Sequence, residues 1–81
     1  MRVKVLFFAH YRDLVGTDGL EVELPAGSTA AMLVDRLRAG GGRFARLPEA
    51  PIVAINLEYA PLGTPLSDGD EVALIPPVAG G

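Results

Sequence analysis

Val3-Lys4-Val5-Leu6-Phe7-Phe8-Ala9 is the stretch that decides the fold. Its β-branched and aromatic residues predict a strand. The run from Val5 to Phe8 is apolar at every position, which is typical of a strand that is covered on both faces. We therefore expect residues 3–9 to form a central strand of a sheet, with the other strands arranged on either side of it.

A short turn and a second strand follow. Residues 11–16 predict a turn or a brief helical piece that ends at Gly16. Leu20-Glu21-Val22-Glu23-Leu24 alternates apolar and acidic residues, the pattern of a strand with one face in water, and residues 25–27 end it. The first two strands are expected to pair as a hairpin.

The main helix is predicted after residue 28. Ser28 or Thr29 supplies an N-cap hydroxyl, and glycines 40–42 stop the helix because glycine provides the left-handed conformation of a C-cap. One apolar stripe has the i, i+3, i+4, i+7 spacing of an amphipathic helix: Ala30, Leu33, Val34 and Leu37.

The second half of the chain returns to the sheet. Residues 43–51 predict a connection in which Phe44 and Leu47 pack against the core, and Leu57 with Glu58 is expected to turn the chain. Three strands are predicted, at residues 52–56, 59–60 and 71–75, the second kept short at an edge by flanking prolines. The order β-β-α-β-β-β predicts an α+β, β-grasp (ubiquitin-like) domain over residues 1–75. Its mixed sheet has one main helix packed on one face, with the first and last strands parallel at the centre.

Composition narrows the function. The chain has 81 residues, which indicates one domain, and no cysteine, which excludes disulfides, thiolate nucleophiles and iron–sulfur clusters. Seven basic against ten acidic residues give a net charge of −3, without the basic surface typical of nucleic-acid binding. The apolar run near the N-terminus is too short for a signal peptide or a membrane span. We expect a cytoplasmic protein with neither nucleic acid nor membrane as a partner, and with no metal site.

The other polar clusters favour structural roles. Residues 67–71, with Glu58 nearby, lack the spacing of an EF-hand and predict a polar turn. Glycines 40–42 follow a helix and lack Gly-Lys-Ser/Thr, so phosphate binding is not expected. His10 has no serine or cysteine partner, which favours a solvent-facing position at the end of the strand. Four arginines are expected to form a solvated face: Arg36, Arg38, Arg43 and Arg46.

The outer face of the sheet is the better candidate for a partner site. Glu71 is expected to face water, so alternation puts Ala73 and Ile75 on its side while Val72 and Leu74 point to the helix. Lys4 marks the same face of the first strand. The residues predicted to form an exposed apolar patch, a common mark of a partner interface, are Leu6, Phe8, Tyr59 and Ile75. The alternative is that the sheet curls and half-buries them.

Pro76-Pro77-Val78-Ala79-Gly80-Gly81 follows the last strand. The tail is predicted to span residues 76–81. Its two prolines are expected to end the fold and project the chain stiffly outward, and its last four residues to be flexible. Glycines let an enzyme close on the backbone from every side in a narrow channel. The carboxylate of Gly81, with an ordinary pKa of about 3.3–3.7, is ionised and must be activated before it reacts. The alternative is a frayed terminus.

These residues resemble the small subunits of molybdopterin synthase, a family of ubiquitin-like sulfur carriers also called molybdopterin converting factor subunit 1. The similarity is strong from Ala54 onward and weaker through residues 17–51, and neither glycines 40–42 nor the proline-rich stretch 48–65 belongs to the family pattern. The segments that resemble the family are Val5-Leu6-Phe7-Phe8-Ala9, Ala54-Ile55-Asn56, Leu66-Ser67-Asp68-Gly69-Asp70-Glu71-Val72-Ala73 and the tail.

The resemblance implies a reaction at Gly81. An adenylyltransferase of the ubiquitin-activating type would adenylate the carboxylate with ATP, and a sulfur donor such as a cysteine desulfurase or rhodanese would convert it to a thiocarboxylate, a covalent 1-thioglycine. The tail, residues 76–80, would enter the large catalytic subunit in a heterotetramer. Sulfur would pass there to precursor Z, a cyclic pyranopterin monophosphate, in molybdenum cofactor biosynthesis. The chain would thus be the non-catalytic donor subunit of a sulfurtransferase and would bind no cofactor itself.

Three alternatives remain open. The thiocarboxylate could serve thiamine synthesis or transfer-RNA thiolation, or the activated tail could be conjugated to protein lysines. A different class of function is a β-grasp binding module with an inert tail.

Overall fold

The computed structural model describes residues 1–77, and the predictions made for Val78, Ala79, Gly80 and Gly81 lie outside the described residues. Strands and helices alternate along the first half, and a 3-10 helix spans Gly42–Arg46. The other elements are β1 (Arg2–Phe7), α1 (Ala9–Val15), β2 (Gly19–Glu23), α2 (Ala30–Ala39), β3 (Ile52–Ile55), β4 (Glu58–Ala60) and β5 (Glu71–Ile75).

The five strands form one mixed sheet in the order β2-β1-β5-β3-β4. β1 and β5 are parallel, with Lys4 opposite Glu71, whereas the other neighbouring strands are antiparallel. The predicted central pair of first and last strands is therefore confirmed, as are the α+β class and the short edge strand. β1 and β2 are antiparallel neighbours as predicted, but α1 lies in the connection between them.

The core lies between the sheet and α2. The predicted stripe of α2 is fully buried, and Val72 and Leu74 of β5 face it with no exposed surface. Leu47 is buried as predicted, and the ring of Phe44 packs edge-on against Phe7, with centroids 5.9 Å apart and an interplanar angle of 66°. Such pairs add about 0.5–1.5 kcal/mol to the burial of their area.

The ends of α2 decide between two predicted caps. Thr29 is the N-cap, and its Oγ1 accepts a hydrogen bond from the backbone N–H of Met32 at 3.3 Å. The hydroxyl of Ser28 instead donates to the carbonyl oxygen of Pro25 at 2.7 Å. At the other end the helix stops at Gly40, so the predicted glycine stop is confirmed, but Gly40 is right-handed, with φ −65°, and not the predicted left-handed cap. The positive φ values follow at Gly41, with 75°, and Gly42, with 57°.

The first strand is shorter than predicted. β1 ends at Phe7, Phe8 is the extended N-cap of α1, and Ala9, with φ 47°, begins the helix. The apolar run continues through the break, so it could not show where the strand ends. His10 is consequently exposed on α1 rather than at a strand end. Within residues 1–77, neither helix has the length and apolar character needed to cross a lipid bilayer.

Candidate functional site

The face of the sheet opposite α2 contains an apolar groove. Strand register sets its floor, because Leu6 lies beside Ala73, and Ala73 lies beside Ala54 on the far side of β5. The groove has a volume of about 200 Å³. It is lined by the four residues of the predicted apolar patch, Leu6, Phe8, Tyr59 and Ile75, together with Ala54, Leu57, Glu71 and Ala73.

The patch residues differ in exposure. Tyr59 is 76% exposed and Phe8 48%, whereas Leu6 and Ile75 are half-buried. Leu6 leans over Gly19 of the neighbouring strand, where a Cβ would lie 3.3 Å from its Cδ2 atom. The four residues thus share one groove. The two aromatic rings are exposed, and the two aliphatic side chains are partly covered. Their role in binding a partner stays a prediction.

The root of the tail lies at one end of this groove. Ile75 is the last residue of β5 and lines the groove, Pro76 is half-buried and Pro77 is exposed. The four residues that follow can extend at most about 14 Å from Pro77, by the length of a fully extended chain. A partner that reacts with Gly81 must therefore approach closely to this end of the groove.

The hairpin between β3 and β4 forms the other end of the groove. Its tip has two residues with positive φ, Asn56 at 50° and Leu57 at 72°, and the Leu57 side chain is 89% exposed. Asn56 ties the tip to β5: its Nδ2 donates to Asp70 at 2.9 Å, and its Oδ1 accepts from the Glu71 backbone N–H at 3.0 Å. The backbone N–H of Asn56 also donates to the Glu71 carbonyl at 2.8 Å.

The turn was predicted at Leu57 and Glu58, but Asn56 and Leu57 form it and Glu58 begins β4. Leu57 was not predicted as a groove residue. The only signal in the sequence was Asn56, a residue that tolerates positive φ and is common in hairpin turns.

The outer face is charged next to the groove. Arg2 of β1 donates through Nε to Glu23 at 3.0 Å, and this hydrogen bond, with the charges of Glu23 and Glu21, raises the Arg2 pKa. Lys4 lies between Glu21 and Glu71 in the strand register. Arg2, Glu21 and Glu23 are exposed, so their ion pairs add little stability. Glu71 is half-buried and lines the apolar groove itself.

The carboxylates of the acidic turn before β5 accept hydrogen bonds from β1 and from the turn itself. Asp68 accepts a 2.7 Å hydrogen bond from the Arg2 backbone N–H, and Asp70 accepts one of 2.8 Å from the Ser67 N–H. No cluster of metal-ligating side chains occurs among residues 1–77. The Asp70 N–H donates to the Ser67 carbonyl at 3.1 Å and closes the turn, so the predicted tight turn at residues 67–70 is confirmed.

One predicted solvated arginine is structural. Arg38 donates through Nε to the Leu47 carbonyl at 2.8 Å and lies 3.6 Å from Glu49, so it fixes the segment after the helix. Arg36, Arg43 and Arg46 are exposed, as predicted.

Comparison with known proteins identifies a family and several relatives of this chain. The family model described as "ThiS family" matches residues 5–81. The molybdopterin synthase sulfur carrier subunit of Escherichia coli is 43% identical over 81 residues, covering 98% of this chain and 99% of its own length.

Two solved structures are also informative. A Helicobacter pylori complex of subunits 1 and 2 of molybdopterin-converting factor includes a chain 27% identical, with a TM-score of 0.71 and full coverage of both chains. SAMP1, the small archaeal modifier protein 1 of Haloferax volcanii, is 28% identical with a TM-score of 0.81, again over both full chains.

Proposed function

The chain belongs to the ThiS family, and from that premise we propose that it is the sulfur-carrier subunit of a molybdopterin synthase. The observation that supports this most is the full-length similarity to molybdopterin synthase sulfur carrier subunits, 43% identical in the Escherichia coli case. The position of the tail root is compatible with it, because β5 is anchored between two strands and delivers the chain to Pro76 beside an apolar groove.

Activation takes place at Gly81. A carboxylate oxygen attacks the α-phosphorus of ATP and pyrophosphate leaves, which turns a poor electrophile into an acyl adenylate. The terminal sulfur of a persulfide on the sulfur donor then attacks the acyl carbon and AMP leaves. A second thiol of the donor cleaves the sulfur–sulfur bond of this acyl disulfide and remains as a disulfide on the donor. The product is a terminal thiocarboxylate, whose sulfur is anionic and nucleophilic at neutral pH as a thiolate is.

Transfer returns the tail to its starting state. The thiocarboxylate sulfur forms a C–S bond with a side-chain carbon of the pterin precursor while a C–O bond at that carbon breaks and its oxygen leaves as water or phosphate. Water then cleaves the acyl–sulfur bond, restoring the Gly81 carboxylate. One charged chain delivers one sulfur, whereas the dithiolene product needs two. Two charged chains are therefore required for each product, which suits a heterotetramer with two carrier and two catalytic subunits.

The apolar groove is the docking surface for the large catalytic subunit in this proposal. Phe8 and Tyr59 present exposed aromatic rings there, and aromatic residues are enriched among the residues that dominate interface energies. The Helicobacter pylori complex supports a partner of this kind. With binding supplied by the groove, the tail needs only to place its reactive carbon.

Intact mass tests the proposal. The purified chain is incubated with ATP, the adenylating enzyme and a sulfur donor, beside an untreated sample and a variant that lacks Gly81. We expect a shift equal to the replacement of one oxygen by sulfur in the complete chain alone. Deleting Gly81 withdraws the carboxylate by about 3.3–3.6 Å, too far for a site built around its position. A complete chain that gains no mass, under conditions that charge the Escherichia coli carrier, would refute the proposal.

Conjugation to proteins is the second candidate, favoured by the similarity to SAMP1. The same acyl adenylate could react with a lysine amine and form an isopeptide bond. Lys4 is the only lysine of this chain, so lysine-linked chains of the protein on itself would need that residue. Conjugates in cell extracts that persist in a Lys4→Arg variant would demonstrate modification of other proteins.

A further inference from the structure

Leu57 is held in a backbone conformation that leucine disfavours. Its φ is 72°, in the left-handed region that glycine, asparagine and aspartate occupy far more readily than other residues. The conformation persists because three hydrogen bonds fix Asn56 to the start of β5: its Nδ2 donates to Asp70, its Oδ1 accepts from the Glu71 N–H, and its own N–H donates to the Glu71 carbonyl. The backbone at the tip of the hairpin is therefore held in place, with the Leu57 side chain exposed.

The side chain of Leu57 also gains little from the fold. It is 89% exposed, the highest value among the large apolar side chains that residues 1–77 expose. A leucine in water at a left-handed turn position contributes neither core packing nor backbone preference. Strained positions that the surrounding structure maintains occur often at binding sites.

The groove links Leu57 to the reactive tail. Leu57 and Ile75 line the same groove. Leu57 lies beside the start of β5, and Ile75 is the last of the five residues of that strand. Pro76 follows Ile75 directly. A standard interface covers about 800 Å² on each partner, a patch about 30 Å across. A patch of this size that is centred on the groove covers both Ile75 and Leu57.

The geometry points to Leu57 as an anchor residue that inserts into an apolar socket on the large catalytic subunit. This inference rests on the proposed function and adds a residue to it. The occupant is the protein that receives the tail, because only three residues separate Pro77 from Gly81 and the recipient must lie at the groove. Because the backbone at the hairpin tip is already held in place, less conformational entropy is lost when Leu57 is bound, which favours an anchor.

Two substitutions separate fold from binding. Leu57→Asn keeps a Cβ but suits positive φ, and Leu57→Gly removes the side chain altogether. Both are expected to leave the thermal midpoint unchanged or higher, yet to weaken binding to the large subunit by at least about tenfold. Met32→Gln is the matched control: Met32 is 48% exposed on α2, which covers the other face of the sheet, and its variant should bind within about twofold of wild type.

Binding is measured by calorimetry with the full chain and the large subunit. The thiocarboxylate form is prepared chemically, by cleaving a C-terminal thioester with sulfide, so the result does not depend on the activating enzyme. If wild type binds and both Leu57 variants bind equally well, the inference is wrong while the proposed function stands. If wild type itself does not bind, the proposed function fails. Variants that unfold several degrees earlier would contradict the argument from strain.

Discussion

Burial sets the acid–base behaviour of Tyr11. The side chain is 5% exposed, and burial raises its pKa above the ordinary value of 10.0. The folded state therefore holds the phenolic proton more tightly than the unfolded state does. The resulting stability is complete below pH about 10 and is lost as the pH rises through the folded-state pKa.

Tyr11→Phe should remove this loss of stability at alkaline pH. Phenylalanine fills nearly the same volume, so the free energy of unfolding near pH 7 should change by less than about 1.5 kcal/mol. Denaturant unfolding followed between pH 8 and about 11 should show a steeper decline for wild type than for the variant. Tyr59→Phe is the control, since Tyr59 is 76% exposed, and should follow wild type. Parallel curves for Tyr11→Phe and wild type would contradict the assignment.

Single residues differ in how well the sequence predicts them. Alternation placed Leu6, Phe8 and Ile75 on one face because strand geometry leaves only two faces. It could not give their exposure, which depends on neighbours such as Gly19. Leu57 escaped prediction because positive φ in leucine follows from the hydrogen bonds of Asn56 to β5, not from any preference of leucine itself.

At the scale of elements, α2 depends on its N-cap. Thr29→Ala removes the acceptor for the Met32 N–H and should destabilise the protein by about 0.5–2 kcal/mol. For a domain of this size, each kcal/mol lowers the thermal midpoint by about 4–8 °C, which calorimetry will detect. Thr29→Ser keeps the hydroxyl and should lower the stability by only a small fraction of the loss expected for Thr29→Ala. Equal losses in both variants would assign the effect to the methyl group instead.

Elements with a strong period were predicted well. The stripe of α2, the alternation of β2 and the central pairing of β1 with β5 all appear in the structure. The boundaries and short elements were less accessible. The break between β1 and α1 falls inside an apolar run, and the 3-10 helix Gly42–Arg46 has too few residues to show a period.

At the scale of the whole molecule, the two faces of the sheet have different roles. α2 covers one face and supplies the core, while the other keeps an apolar groove open beside the root of the tail. Because β5 is the middle strand, its end is held by β1 and β3 on both sides. The fold thus fixes the start of the tail, and we expect the paired prolines to extend that rigidity by two residues.

Replacing both Pro76 and Pro77 with alanine tests that rigidity. Each proline removed lets the free tail explore more conformations, which must be given up on insertion, at a cost of about 0.4–1 kcal/mol per residue. Together they should weaken binding of the thiocarboxylate form to the large subunit by about four- to thirty-fold. The thermal midpoint should hardly change, because both residues follow the last strand and Pro77 is exposed. Pro48→Ala, at an exposed proline far from the tail in sequence, is the control and should leave binding unchanged. Unaltered affinity in the double variant would mean that the groove alone positions the tail, and that the prolines serve only to end the strand.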